Sequence, residues 1–373
     1  MENRVTKYFP VVTCVTSAIL LAGFGLVCLY SALRGSLVVP VNILNKQILL
    51  LIVAIVSGGV VSVQREGFLR YLAYACLSLA FVGLVLVLIP GVGVTVNGAR
   101  RWVDLGFIHF QMSELAKAAF VLGLAQYLSL FQRKKEHWLY GFVIPMGMIA
   151  MFVAVILAEP DYGTAFLFGV VGVTMLYLWG GRLDLLITSN VLGLVVFGFL
   201  IRQDPVRWKR ITSFLDVEGN KSDGAYQLYQ GLLAFGSGGI KGVGIGNGRQ
   251  QLAYLPEAHT DFILPVIGEE MGLIATLTIL GLFTLLFWSV FQIAKRTGSM
   301  FWYLIVTGGG SFIIYQALFN ISVVTGLIPT KGISLPFISY GGANLMGSFL
   351  ILGLLFCAWH HSLQSPLKKA REL

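Results

Sequence analysis

Long apolar segments recur along almost the whole chain and constrain its fold more than any other feature. A helix needs about 20 apolar residues to cross the roughly 30 Å hydrocarbon core of a bilayer. Only 12% of the 373 residues are charged, whereas a soluble domain carries about 25%. The sequence therefore predicts an all-α, polytopic membrane protein with ten transmembrane helices in one domain, 1–373. The predicted spans cover about 10–33, 43–63, 68–92, 113–131, 138–158, 163–180, 184–201, 262–292, 300–322 and 343–362.

Lys and Arg residues are unevenly divided between the short loops, and this division predicts the orientation of the spans. Most of them lie on the side of the two termini, whereas the other short loops hold only Arg34, Lys46, Arg100, Arg101 and Lys331. Because short cytoplasmic loops are rich in basic residues, both termini are expected in the cytoplasm. The long segment 202–261 then faces outward, where nucleotide donors are absent, so any substrate must bring its own energy.

Segment 97–117 is the first outward segment with unusual polar residues. Arg100, Arg101 and Trp102 lie between two spans, and Glu114 and Lys117 open the fourth span. The i, i+3 spacing of Glu114 and Lys117 puts them on one helix face, where they can pair. Two interpretations remain open: a snorkelling Lys beside a solvated Glu, or a buried pair that lines a cavity.

Segment 158–164, AEPDYGT, connects the fifth and sixth spans. Pro and Gly favour a plain tight turn here. The carboxylates of Glu159 and Asp161 allow a second interpretation, because Mg²⁺ commonly binds through one or two carboxylates plus substrate phosphates. On that interpretation, Asp161 helps to hold a divalent cation, Mg²⁺ or Mn²⁺.

The long segment 202–261 contains a predicted amphipathic helix at 225–235, followed by the glycine-rich run 236–248. The run does not fit a phosphate loop, because Lys241 is followed by Gly242 rather than by Ser or Thr. Its glycines permit close backbone approach, and its N–H groups offer an alternative use as an anion cradle.

The stretch LPEAHTDFILPVIGEE, 255–270, raises the question of what chemistry justifies carboxylates at the mouth of a span. Asp261 fits a helix cap or a catalytic carboxylate, and His259 lacks the partners that a zinc site needs. Segment 325–345, which carries Lys331, has irregular backbone of the kind that lines a cavity at a membrane boundary.

Six motifs stand in order along the chain: GARRW at 98–102, FQ-x-SELAK at 110–117, PDYGT at 160–164, YLPEAHTDF at 254–262, GEE-x-G at 268–272 and PTKGISLPFISYGG at 329–342. Together they resemble the SEDS family, the shape, elongation, division and sporulation proteins of bacteria. PEAHTDF and PTKGISLPFISYGG are closer to the division member FtsW, whereas the short N-terminus is more like the elongation member RodA.

The resemblance implies a glycosyltransferase that polymerises lipid II on the outer face of the bacterial cytoplasmic membrane. It implies a class B penicillin-binding transpeptidase and associated division or elongation proteins as partners, with no role for nucleic acid. By its HTD motif it makes Asp261 the catalytic residue. Basic residues are candidates to neutralise the substrate's pyrophosphate. The expected substrate-binding residues are Arg100, Arg101, Trp102, Glu114, Lys117, Asp161, Lys241, His259 and Lys331.

Two other classes of function remain open from the sequence. Many spans with buried charges also suit a lipid II flippase, and a structural scaffold of the division complex needs no chemistry at all. Polymerisation of lipid II in detergent, where there is no bilayer to flip across, separates the enzyme from both alternatives.

Overall fold

The structure, a computed structural model, describes residues 4–35, 42–96, 99–104, 106, 109–248 and 259–369. The predicted motif segments 97–98 and 249–258 lie outside the described residues. The described chain is almost entirely helical, as predicted. Its helices are α1 (Arg4–Gly35), α2 (Asn42–Ser62), α3 (Glu66–Val87), α4 (Met112–Leu130), α5 (Ile144–Ala158), α6 (Tyr162–Trp179), α7 (Leu183–Gln203), α8 (Pro205–Leu215), α9 (Tyr226–Gly238), α10 (Ile263–Arg296), α11 (Met300–Val324) and α12 (Gly342–Lys369).

Each predicted span coincides with one of these helices. The π-helical turn Trp138–Val143 runs into α5 and completes the fifth span. Within the described ranges, nine helices are long and apolar enough to cross a membrane. The helix missing from that set is α4, whose mean hydropathy is lowered by Glu114, Lys117 and Gln126. These helices make the protein a multi-pass membrane protein, whereas the count of ten spans stays a prediction.

The centre of the bundle is built from α4, α5, α6, α11 and α12. Phe120, Phe152, Phe168 and Phe312 bring α4, α5, α6 and α11 together, with ring centroids 5.0–6.2 Å apart. Within its apolar window, α12 is 83% buried, whereas α7 is only 6% buried. Because α7 shows so little buried surface, it lies at the periphery of the bundle.

Helix α10 is interrupted at Gly272, which has φ 76° and ψ −172°. The glycine-rich run fills this break: Val243 N donates to Glu269 O at 2.9 Å, and Leu273 N donates to Gly239 O at 2.9 Å. A Cβ at Gly242 would overlap the Glu270 carbonyl, so only glycine permits this approach. The prediction of close backbone approach is confirmed, and the amides considered for an anion cradle are used inside the protein.

The break also fixes the position of Glu270. Its Oε1 accepts from Ser31 Oγ at 2.7 Å and from Gly246 N at 3.1 Å. Since Ser31 is at the C-terminal end of the first span, Glu270 lies at the level of that end of the bundle. We call this the outer end, because the charge distribution predicts that it faces outward.

A small antiparallel sheet at the outer end was not predicted. It contains β1 (Gly93–Val96), β2 (Ala99–Asp104) and β3 (His109–Gln111) in that order. The sequence did hold a signal for it, since Asn97-Gly98 between β-branched and aromatic residues is typical of a hairpin turn. Arg101 has no partner on β1, where Val94 faces Trp102 and Thr95 faces Arg100. Arg101 is therefore the extra residue of a β-bulge, a feature that re-aims a side chain.

The long segment 202–261 forms two helices in its described part. The predicted helix at 225–235 is confirmed as α9, which packs on α10. The preceding α8 was missed; Asp204 caps it, accepting from Val206 N and Arg207 N. This helix carries the basic sequence RWKR, 207–210, to the outer end.

Candidate active site

The HTD segment is held by α11 and by the loop between α11 and α12. Three successive carbonyls of the segment accept hydrogen bonds: His259 O from Tyr340 N at 3.0 Å, Thr260 O from Ser339 Oγ at 2.6 Å, and Asp261 O from Asn320 Nδ2 at 2.8 Å. The His259 ring lies 5.7 Å from the Tyr340 ring. Two motifs far apart in sequence, HTD and ISYGG, therefore form one unit.

The Asp261 carboxylate lies against the backbone of Gly332. A Cβ at Gly332 would be only 2.5 Å from Asp261 Oδ2. This contact also sets Asp261 beside Lys331, the neighbouring residue in the chain. Asp261 is half-buried, so part of the residue is exposed at the surface of the described chain.

Asp161 occupies the other side of the site as the N-cap of α6. Its Oδ1 accepts from Thr164 N at 3.2 Å, and its Oδ2 accepts from Thr164 Oγ1 at 2.8 Å and Gln111 Nε2 at 3.4 Å. Arg101 completes the set, with its Nη1 3.6 Å from the same Oδ2. Asp161 is thus a buried carboxylate surrounded by donors.

Arg101 is anchored to the turn before α6. It donates from Nε to Glu159 O at 3.3 Å and from Nη2 to Pro160 O at 2.8 Å. Its neighbour Arg100 instead donates from Nη1 to Leu88 O at 3.2 Å. The bulge therefore brings one arginine to the site and leaves the other on the end of α3.

Helix α8 adds two arginines that sequence analysis missed. The Arg207 guanidinium lies 3.4 Å from the centroid of the Tyr162 ring and also donates to Pro160 O. Although much of the Arg210 side chain is exposed, partial desolvation lowers the pKa of Arg210, and the charges of Arg207 and Arg101 lower it further. The charge of Asp261 acts in the opposite direction, so Arg210 also lies within electrostatic reach of the HTD segment.

Lys331 brings a fourth cation to the same place. Desolvation lowers the pKa of its ammonium to about 8; the charge of Asp161 opposes this, and the charges of Arg207, Arg210 and Arg101 add to it. Its Nζ lies 5.3 Å from the Phe197 ring centroid and 5.9 Å from that of Tyr162. We call Arg101, Arg207, Arg210 and Lys331 the cation cluster. Such a concentration of positive charge in a partly desolvated place favours an anionic ligand.

Glu114 and Lys117 form a buried pair beneath the site. Lys117 Nζ donates to Glu114 Oε2 at 2.6 Å, and the two side chains are only 3% and 8% exposed. The pair is buried as predicted, so the interpretation as a solvated pair is wrong; that the pair lines a cavity stays a prediction. Lys117 also donates to Gln316 Oε1 at 2.7 Å, and this hydrogen bond connects the pair to α11.

The structure does not bring every predicted residue to the cation cluster. Arg100 points to α3, and Trp102 lies on β2 opposite Val94 and Gln111. Lys241 is exposed beside the break at Gly272, about 16 Å along α10 from Asp261 at 1.5 Å per residue. Arg100 and Lys241 therefore lie apart from the cation cluster in this structure, and their part in neutralising the substrate stays a prediction.

Comparison with known proteins identifies the family. The cell cycle protein family of FtsW, RodA and SpoVE matches residues 12–364. A probable peptidoglycan glycosyltransferase FtsW of Coxiella burnetii is 41% identical over 74% of this chain and 75% of its own. The corresponding protein of Thioalkalivibrio sulfidiphilus is 36% identical over 95% of this chain and 91% of its own. The chain belongs to the SEDS family.

Solved structures agree with this assignment. A chain from a peptidoglycan synthase complex that coordinates polymerisation and crosslinking superposes with a TM-score of 0.77, at 26% identity, over 94% of this SEDS chain and 98% of its own. The rod shape determining protein RodA of Thermus thermophilus gives a TM-score of 0.70, at 25% identity, over 94% of this chain and 97% of its own. Both similarities cover nearly the full fold.

The donor set of this SEDS protein does not fit a resident divalent cation at Asp161. Both Asp161 oxygens face N–H or O–H donors, and Arg101 adds a positive charge. The nearby Glu159 carboxyl has no hydrogen-bond partner among the described residues, and burial, together with the Asp161 charge, raises its pKa to about 8. In the described part of the chain, no group of three or more His, Cys, Asp or Glu side chains could hold a metal. Use of a divalent cation stays a prediction, without Asp161 as its ligand.

Proposed function

We propose that this SEDS protein is a peptidoglycan glycosyltransferase that polymerises lipid II at the outer face of the cytoplasmic membrane. The observation that carries the proposal is the position of the Asp261 carboxylate, which lies against Gly332, the residue after Lys331, and within reach of the charge of Arg210. A base and a site for a diphosphate are the two parts that a transfer from a polyprenyl-diphosphate donor needs. The shared name of the FtsW relatives supports the same reaction.

The reaction joins an α-linked diphosphate donor into a β-linked glycan, which implies inversion in one displacement. Asp261 removes the proton from the acceptor's 4-hydroxyl while that oxygen attacks the anomeric carbon of the donor. The bond from the anomeric carbon to the phosphate oxygen breaks, and its electron pair leaves on the diphosphate. The cation cluster stabilises this developing charge, with the arginines able to bind two oxygens at once.

The site also explains why no soluble cosubstrate is needed. The energy of the transfer comes from the diphosphate bond that the lipid substrate already carries. Partly desolvated cations act more strongly than solvated ones, because the effective dielectric constant around them is lower. The proposed binding site therefore stabilises the leaving group at the place where its charge develops.

We further propose that both termini are cytoplasmic and that the protein works with a class B penicillin-binding transpeptidase. The neighbouring structure from a peptidoglycan synthase complex supports such a partner. The shared name FtsW favours a role in cell division.

The proposal is tested with purified protein, the partner transpeptidase and fluorescent lipid II in detergent. We expect polymer ladders from the wild type and at least about 100-fold less polymer from Asp261→Asn, because base catalysis contributes about 10²–10⁴-fold. Thermal stability should change little, because Asn has the size of Asp and no helix cap is lost: the N-cap of α10 is Phe262, so the interpretation of Asp261 as a helix cap is wrong. Lack of polymer from the wild type, with lipid II transport in vesicles, would support the flippase instead.

A further inference from the structure

Two buried amides on α11 lie between the candidate active site and the Glu114–Lys117 pair. Gln316 and Asn320 are one helical turn apart, so their side chains share a face, and they are 3% and 1% exposed. Neither residue belongs to a motif that sequence analysis singled out. Their hydrogen bonds reach the backbone on both sides of the active site.

Asn320 ties the two catalytic segments to each other. Its Nδ2 donates to Asp261 O at 2.8 Å and to Ile333 O at 2.7 Å. Its Oδ1 is buried without a partner among the described residues. The reversed amide would set this oxygen against two carbonyls, so donation to both segments is the orientation that the surroundings permit. A buried acceptor without a partner is unfavourable in a protein interior. Asn320 at this position therefore indicates that the two hydrogen bonds from its Nδ2 outweigh the cost of the unpaired Oδ1.

Gln316 connects the same loop to the charged pair. Its Oε1 accepts from Lys117 Nζ at 2.7 Å, and its Nε2 donates to Ser334 O at 2.8 Å. Because an ammonium can only donate, Lys117 fixes the amide so that its N–H groups face Ser334. Asn344 continues the series by donating to Leu335 O at 3.1 Å. The successive carbonyls of Ile333, Ser334 and Leu335 are thus each held by a different buried amide.

We propose that Gln316 and Asn320 are positioning residues that set the place of Asp261 and Lys331, and that the Glu114–Lys117 pair acts on the reaction through Gln316. This rests on the proposed function, since it assigns the pair to the support of the site rather than to substrate contact. The charge of Lys117 orients one amide, the amide holds the loop, and the loop holds Gly332 against the Asp261 carboxylate.

The first test compares Asn320→Ala and Gln316→Ala with Gln126→Ala. Gln126 is a matched control because it is also a buried amide, bound to Arg70 at the opposite end of α4. A shift of about 1 Å in a catalytic group can lower turnover by about 100-fold. We expect kcat to fall by about 10- to 100-fold in the first two variants, with a smaller change in KM, and to stay at the wild-type value in Gln126→Ala.

A second measurement does not depend on activity. Hydrogen exchange of the amides in 331–340 should become faster in Asn320→Ala and Gln316→Ala and should be unchanged in Gln126→Ala. Should Asn320→Ala not fold, Asn320→Ser keeps one donor, and its kcat should lie below that of the wild type. Normal exchange in 331–340, or wild-type kcat in the folded variants, overturns the inference.

The role assigned to the pair is tested by combining substitutions. Glu114→Gln with Lys117→Gln should lower kcat in the wild-type background and should add nothing to the loss already present in Gln316→Ala. Additive losses would mean that the pair acts by another route. Failure of the proposed function looks different: the wild type itself makes no polymer, while the exchange measurement still reports on the positioning of the loop.

Discussion

Substituting Gly332 by Ala moves the candidate base while leaving its chemistry intact. The added Cβ would be 2.5 Å from Asp261 Oδ2, whereas ordinary van der Waals contact begins at 3.4 Å. The carboxylate must therefore move by about 0.9 Å, which is the scale at which misplacement of a reacting group costs about 100-fold in rate. This corresponds to about 2.7 kcal/mol in the activation barrier, because each factor of ten is 1.36 kcal/mol.

The same substitution should change the free energy of unfolding very little. Gly332 is exposed and does not have a positive φ, so alanine suits its backbone. The atom that the methyl group meets is the far end of a side chain, which can rotate. We therefore expect the melting temperature of Gly332→Ala to remain near that of the wild type while its rate of polymerisation falls by about 10- to 100-fold.

Initial rates with fluorescent lipid II in detergent, measured beside thermal unfolding, give both quantities. Gly236→Ala is the matched control, since this exposed glycine of α9 has no atom within 4 Å of an added Cβ. It should polymerise at the wild-type rate. A folded Gly332→Ala protein with the wild-type rate would refute the reasoning, because it would show that the position of the Asp261 carboxylate does not limit turnover.

Three further predictions concern charges around the site. The pKa of Lys331 is about 8, so kcat/KM should fall above about pH 8 as the ammonium is lost. Lys331→Arg, which stays charged, should move this fall to higher pH, and an unchanged pH dependence of kcat/KM would contradict a role for Lys331. Burial raises the pKa of Glu159 from 4.5 to about 8. The free energy of unfolding should therefore fall as the pH rises from about 4.5 to about 8, where only the folded protein keeps this proton. Glu159→Gln should melt above the wild type at pH 9 and close to it at pH 4.5, which thermal scans at both values check. Single alanine variants of Glu114 or Lys117 leave a buried charge unpaired, which costs about 3–5 kcal/mol of stability. Exchanging the two charges should recover the melting temperature but not polymerisation, because a carboxylate at 117 reverses the Gln316 amide. Polymerisation at the wild-type rate by the exchanged protein would contradict the role of this amide.

The parts of the site that sequence could predict are those carried by contiguous patterns. Apolar length located the helices to within a few residues, because the bilayer sets the length of a span. The i, i+3 spacing of Glu114 and Lys117 predicted their pairing, and the structure adds that the pair is buried. In both cases the relevant contacts are local in the chain.

The remaining parts depend on contacts between distant segments. Arg207 and Arg210 lie on an eleven-residue helix inside a long loop, and no periodic signal indicates which side of the bundle such a helix covers. Lys241 had the opposite difficulty: it lies among glycines that suggested an anion site, yet those glycines are used to fill the break in α10. Gln316 and Asn320 were missed because a single amide within an apolar helix carries no pattern of its own.

The two aspartates at the site share a residue type but differ in burial and in what holds them. Asp161 is 4% exposed, and Thr164, Gln111 and Arg101 occupy its oxygens. A proton taken from a substrate would have to displace one of these donors. The half-buried Asp261 lies at the edge of the cation cluster, and its backbone carbonyl, rather than its carboxylate, takes the bond from Asn320. The fold thus holds the main chain of Asp261 through Asn320 and sets its carboxylate against Gly332, and a base for an incoming hydroxyl needs such a fixed position.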